Sequence, residues 1–296
     1  MLRKKVWWFL AAPRVNLPKC TTKGSFASQQ DDPMLVLPWP YLTLLSAGYV
    51  LALTYGYLTA QAIIAIILLG LAGYAVRQHR FRYGPYLGHA LFILVALALA
   101  LHWWPGFQNA RMIDQQRFTE NAAPFSMNLN LDKPLIGFWL LLVCPWIIGR
   151  QSLLQALKTG ALTLSLTAIV TLGSAWLLGI VEWAPKWPPQ TWLWINNNLL
   201  LVTLVEEALF RGYLQGGLSR RFQHLPYGEY MALLVASLLF GLAHWGGGWE
   251  WLLLATLAGA GYGLAYRFGG LAAAIAAHFG LNLLHFGWFT YPMLAS

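Results

Sequence analysis

The chain has 296 residues, of which 58% are hydrophobic and 15% aromatic, only 10% carry a formal charge, and the mean hydropathy is +0.54. Soluble domains carry about 25% charged residues, so these proportions exclude an ordinary water-soluble enzyme and a disordered chain. The net charge of +9 points to no nucleic acid, because in so apolar a chain excess Lys and Arg mark cytoplasmic loops facing a lipid bilayer.

Residues 1–33 are basic and polar, and the short apolar run Val6–Leu10 is followed by Pro13. A signal peptide needs an apolar stretch of about 7–15 residues and a small-residue cleavage site. The segment therefore reads as a cytoplasmic tail, with Met34 as an alternative start. Two cysteines, Cys20 and Cys144, are too few for a disulfide framework.

A membrane-spanning helix needs about 20 mostly apolar residues. Nine windows meet or approach that rule, near 37–55, 58–76, 86–104, 134–149, 161–181, 195–217, 230–247, 251–268 and 271–290. They are apolar on every face rather than alternating as in a barrel. The expected fold is all-α, a polytopic transmembrane bundle of about nine spans (eight to ten). It divides into the tail, an N-terminal membrane region 34–194 with an external loop 105–133, and a core 195–290. The loop is polar, its charges balance, and the sequence assigns it no regular structure. With the N-terminus inside, every inside loop carries Lys or Arg, including Arg77, Arg80, Arg82, Arg150, Lys158, Arg211, Arg220, Arg221 and Arg267. Outside fall Arg111, Arg117, Lys133 and Lys186. A cytoplasmic N-terminus and an external C-terminus follow. Trp183, Trp187, Trp192, Trp194, Trp249 and Trp251 read as an interfacial belt.

Ionisable residues inside a membrane are costly and mark functional sites by default. Here they gather in the last third of the chain. In the sixth window Glu207 and Arg211 stand i,i+4 and neutralise each other on one face. Glu206 lies about 100° around the helix, is expected to face another partner, and suits a general base. The seventh window contributes His244 and the ninth His278 and Asn282, again i,i+4. His89, His102 and His285 read as satisfied interior residues. A base, proton carriers and hydrogen-bond donors on three spans match the parts needed to hydrolyse an amide. At 1.5 Å per residue, Glu206 and His278 lie on the order of 12 Å from the cytoplasmic end and His244 nearer 20 Å, a mismatch in depth.

Glu-Glu-x-x-x-Arg at 206–211, Phe-x-x-x-His at 240–244 and His-x-x-x-Asn at 278–282, in that order on separate apolar spans, resemble the three signatures of the CPBP intramembrane proteases. This is the family of the type II CAAX-prenyl endopeptidase and of the bacterial Abi, or bacteriocin-processing, proteins. The resemblance covers about 195–290. It implies that Glu206 activates the attacking water with His244 assisting, that His278 and Asn282 stabilise the oxyanion, and that Glu207 and Arg211 orient the first glutamate. It implies a membrane-anchored or lipid-tethered protein or peptide as substrate, reaching the site sideways or from the cytoplasmic face. No cofactor is favoured, although Glu206, His244 and His278 would also make a zinc set with an open water position. A His-Glu-x-x-His zinc motif and a Gly-x-Ser-x-Gly elbow are both absent from the sequence, and no aspartate falls within the nine windows. Two other classes stay open: a proton-coupled membrane transporter, and a non-catalytic immunity or scaffold protein on the same fold.

Overall fold

In a computed structural model of the chain, the described residues are 39–78, 82–149 and 151–295. The tail 1–33, with Cys20, and the alternative start Met34 lie outside them. The helices are α1 (Trp39–Thr54), α2 (Ala60–Arg77), α3 (Gly84–Ala100), α4 (Pro134–Val143), α5 (Leu153–Leu177), α6 (Thr191–Asn196), α7 (Leu204–Glu207), α8 (Gly216–Phe222), α9 (Gly228–Ala243) and α10 (Trp249–Trp288). Among the described residues, each of the nine apolar windows overlaps helix. By length and composition, α2, α5 and α10 can each cross a membrane, whereas α3, α4 and α9 are apolar but shorter. A helical membrane architecture is therefore present, while ten residues of α4 rise only about 15 Å, half a hydrocarbon core.

Local signals place several helix ends. Pro85 and Pro134 occupy first-turn positions of α3 and α4, where a missing N–H costs nothing. Ser152 caps α5 by accepting from the Gln155 amide at 3.3 Å. At Gly270, φ is 74° and ψ −171°, a conformation essentially reserved for glycine. The chain reverses there, so α10 is two antiparallel arms joined between the eighth and ninth windows.

The arms of α10 pack on α5 through small residues. A side chain on Gly160 would meet Ala276 and Ala273, and one on Gly261 would meet Thr167. Close backbone approach of this kind is how helices associate where lipid removes the hydrophobic drive. An alanine-rich core of Ala258, Ala265, Ala273, Ala274 and Ala277 surrounds Tyr262. A second core joins α2, α3 and α4, with Phe92 stacked on Trp139 at 3.8 Å.

The loop 105–133 is not irregular. It holds an antiparallel hairpin, β1 (Ala110–Gln116) with β2 (Phe125–Leu129), in the register Ala110↔Leu129 and Ile113↔Met127. Ile113 and Met127 pack with Trp194 and Phe286, anchoring the hairpin on the end of the bundle where α5 finishes and α6 begins. Polar residues between the inward positions, and register shifts within the pair, hide the alternation that would have revealed the strands. Trp194 is 1% exposed and stacked on Phe286, so it is a core residue and not part of an interfacial belt.

Candidate active site

The segment 191–222 is one continuous helical rod, but it is α-helical only in pieces. Residues Asn197–Thr203 and Ala208–Gln215 are π-helical, and α7 with Glu206 and Glu207 lies between them. Insertions of this kind are rare and gather at functional sites. Widening the turn changes which side chains share a face, so angular bookkeeping on a regular helix is only a first guide.

That bookkeeping placed Glu206 away from the partner of Glu207. The structure instead sets both carboxylates on His278. Its Nδ1 is 2.8 Å from Oε1 of Glu207, and its Nε2 is 4.0 Å from Oε2 of Glu206. An imidazole carries its two nitrogens on different edges, so two diverging carboxylates can straddle one ring. A carboxylate accepts, so Nδ1–H donates to Glu207 and leaves Nε2 facing Glu206. The Glu206 side chain is 29% exposed, and its buried Oε2 makes no hydrogen bond among the described residues.

Glu207 has a second partner. Its Oε2 lies 3.4 Å from Nε of Arg211, and both residues are fully buried, as the i,i+4 spacing leads one to expect. The guanidinium carbon stands 4.6 Å from the ring centre of Phe240 and 5.6 Å from that of Tyr262. Aromatic faces are favourable surroundings for a desolvated guanidinium. Tyr262 also stacks on His278 at 4.4 Å, 12° from parallel, which fixes the plane of the imidazole.

His278, Asn282 and His244 line one cavity of ≈ 90 Å³, with Phe240, Tyr262, Trp251 and His285 also in its wall. Water needs on the order of 10–15 Å³ of such space. Neither glutamate is in the wall. Asn282 donates Nδ2 to Oδ1 of Asn198 at 3.2 Å, and Thr203 donates to the same oxygen at 3.3 Å. His244 ends α9, with Nδ1 2.8 Å from the Phe240 carbonyl. The depth mismatch is thus partly real. His244 reaches the same cavity, but it and His278 each pack on the Phe240 ring, at 4.6 and 5.7 Å, rather than on each other.

Among the described residues no three His, Cys, Asp or Glu side chains form a group able to hold a metal ion. Glu206, His244 and His278 do not gather into such a group: each histidine leaves Nε2 free by placing Nδ1 on a protein oxygen, as a zinc-bound histidine does, but both rings pack on Phe240 rather than on each other.

Of the other histidines, His89 is buried and satisfied by the Tyr213 hydroxyl at 3.0 Å, whereas His102 pairs with Asp132 but is exposed rather than interior, because it lies in the turn after α3. His285 also departs from expectation: it lines the cavity, and its Nε2 is buried without a hydrogen bond among the described residues. Asn198 and Tyr262 were missed in the sequence. The run Asn196–Asn198 opening an apolar span was a legible signal for the first, whereas nothing in sequence distinguishes Tyr262 from any other core aromatic.

No curated protein and no solved structure matches the chain. One family model does, and it covers about a third of the length, including the two glutamates, Arg211, both site histidines and Asn282. The resemblance carried by the three motifs is thereby shown: residues 188–284 match the family described as type II CAAX prenyl endopeptidase, Rce1-like.

Proposed function

We propose that this protein is an intramembrane endopeptidase that hydrolyses a peptide bond in a membrane-anchored or lipid-tethered protein or peptide, using water activated by Glu206. Membership of the matched segment in a protease family supports the reaction class. The observation that carries the mechanism is the 4.0 Å gap between Oε2 of Glu206 and Nε2 of His278, with that oxygen making no hydrogen bond among the described residues. A separation beyond direct hydrogen bonding is one that a single water can bridge.

In this reading the bridging water attacks the scissile carbonyl carbon while Glu206 takes its proton. The tetrahedral oxyanion is met by the amide N–H of Asn282 not given to Asn198 and by His278 in its imidazolium form, whose Nδ1–H stays on Glu207 while Nε2–H donates to the oxyanion. Collapse breaks the C–N bond, and the proton held by Glu206 passes to the leaving amine with His244 assisting from the cavity wall. Glu207 and Arg211 do not touch substrate: Glu207 holds Nδ1–H of His278 and so orients its ring, and Arg211 fixes Glu207. The reaction is metal-free, the chain spans the membrane about nine times, and the N-terminus is cytoplasmic.

The test is cleavage of a panel of membrane-anchored and prenylated peptides by the purified protein in detergent. Glu206→Gln should abolish cleavage without unfolding the protein, and Asn282→Ala should lower kcat by about 10²–10³, the usual loss for one oxyanion donor. A chelator should change nothing. Cleavage indifferent to Glu206 would overturn the mechanism, and chelator-sensitive cleavage restored by zinc would overturn its metal-free character.

A further inference from the structure

The two ends of the bundle differ in charge and in aromatic content. At one end α2 finishes with Arg77, whose Nη2 donates to the Leu142 carbonyl near the end of α4 at 2.7 Å. Arg220 lies over Trp146 at 3.6 Å, and Arg267 pairs with Glu229 at 2.9 Å. Arg82 and Arg221 belong to the same end by chain order, and Glu229 is its one acid among the described residues. Against Arg77, Arg82, Lys158, Arg220, Arg221 and Arg267 at this first end, the other end carries the fewer Lys and Arg among the described residues: Arg111, Arg117, Lys133 and Lys186. The tryptophans gather there too, with Trp183, Trp187, Trp192 and Trp249 each more than half exposed.

The cavity that reaches His278 and Asn282 belongs to the tryptophan-rich end. Its outer wall is Ile180, Val181, Trp251 and His285, from the segment after α5, the start of α10 and its last turns. Towards the basic end the site is closed by Arg211, Tyr262 and Phe240, at 0%, 1% and 2% exposure. A separate cavity of ≈ 240 Å³ at the basic end is lined by Arg220, Glu229, Tyr266 and Arg267 and includes none of the proposed catalytic residues.

We propose that substrate reaches the site from the end opposite the basic one, on the extracytoplasmic side of the membrane. The inference rests on the protease reading of this site and departs from the cytoplasmic alternative among the two approaches, sideways or cytoplasmic, that the sequence suggested. Basic residues bias an end to the cytoplasm, and tryptophans sit at headgroup level. The mouth therefore lies at the outer interface. The substrate class follows: an extended, membrane-anchored chain whose scissile bond lies at the outer surface of the bilayer, not the cytosolic C-terminus of a lipid-modified protein.

The test uses the full chain with Cys20→Ser, in which the remaining Cys144 is buried and serves as the blank. Trp192→Cys and Trp249→Cys report the mouth end, and Tyr227→Cys, at a position 79% exposed before α9, reports the basic end. Bacterial spheroplasts expressing each variant are treated with a membrane-impermeant sulfonated maleimide, before and after permeabilisation. The two mouth-end cysteines should label in intact spheroplasts roughly tenfold or more above Tyr227→Cys, which should label only after permeabilisation. In a second arm, Ile180→Cys is treated from outside with a bulky impermeant maleimide. Its cleavage of a membrane-anchored peptide should fall roughly tenfold or more against the same variant untreated. Labelling of Tyr227→Cys in intact spheroplasts, or equal labelling of both ends, overturns the proposal, as does full cleavage by labelled Ile180→Cys. Labelling as expected from a protein that cleaves nothing overturns the protease reading instead.

Discussion

The two adjacent glutamates have the same chemistry and opposite structural standing. Glu207 is fully buried, gives one oxygen to His278 and the other to Arg211. Glu206 is partly exposed, and its Oε2, 4.0 Å from Nε2 of His278, makes no hydrogen bond among the described residues. Removing one member of a buried ion pair strands the other charge and costs about 3–5 kcal/mol, whereas removing a partly exposed carboxylate strands nothing. Glu207→Gln should therefore lower the unfolding free energy by about that amount, while Glu206→Gln should leave the melting temperature in detergent unchanged and abolish cleavage. Equal melting temperatures for the two variants would contradict the assignment. The candidate site residues stand out in the sequence because each is an ionisable or amide side chain in an apolar span, where any such group is conspicuous. Their partners were less so. The Glu207–Arg211 pair follows from spacing within one helix, but the straddling of His278 depends on tertiary contact between α7 and α10, and the stacking of Tyr262 on that ring leaves no trace in composition.

At the scale of elements, the apolar windows locate helices well because burial in lipid or protein demands long apolar runs. They do not reveal the π-helical turns flanking α7, since hydropathy is blind to a change from i→i+4 to i→i+5 bonding. Nor do they reveal the hairpin, whose strands bury only alternate residues on one end of the bundle. Glycine is where element packing becomes testable. A Cβ on Gly261 would lie 1.9 Å from Oγ1 of Thr167 and 2.9 Å from its Cβ, whereas one on Gly173 would meet nothing within 4 Å. Thr is β-branched and stiff, so the α5–α10 interface must open to admit the first. Gly261→Ala should destabilise by about 1–3 kcal/mol, the usual cost of overpacking. It should also lower cleavage, because the next residue, Tyr262, holds the His278 ring. Gly173→Ala should stabilise by about 0.5–1 kcal/mol, the helix-interior preference for alanine. Thermal unfolding of the pair in the same detergent reads the sign directly, and a like sign for both would remove close packing as the role of Gly261.

Across the whole molecule, the end that carries the cavity mouth is held together by the segment after α10. Thr290 donates to the Glu182 carbonyl at 2.9 Å, Leu294 to Ile180 at 2.9 Å, and Ala123 to Met293 at 2.9 Å, so hairpin loop, α5 cap and C-terminal segment form one stitched surface. Lys186 closes it: its Nζ donates to the Phe289 carbonyl and its backbone amide to Gly287 at 2.8 Å. Burial pushes the Lys186 ammonium down from the ordinary 10.5 to about 8. Between those values the unfolded chain holds a proton that the folded chain has released, so this group makes stability rise with pH above about 8 and fall as pH drops through it. Tyr291 acts with the opposite sign at higher pH. Burial pushes its hydroxyl up to about 12 from 10, so its contribution is lost as pH rises beyond 10. The window from pH 8 to 10 therefore isolates the lysine. Across it the melting temperature of the wild type should rise relative to that of Lys186→Met, and the two curves should run parallel below pH 7. Parallel curves throughout would mean that the ammonium is not desolvated and that water already reaches the seam between the loop after α5 and the end of α10.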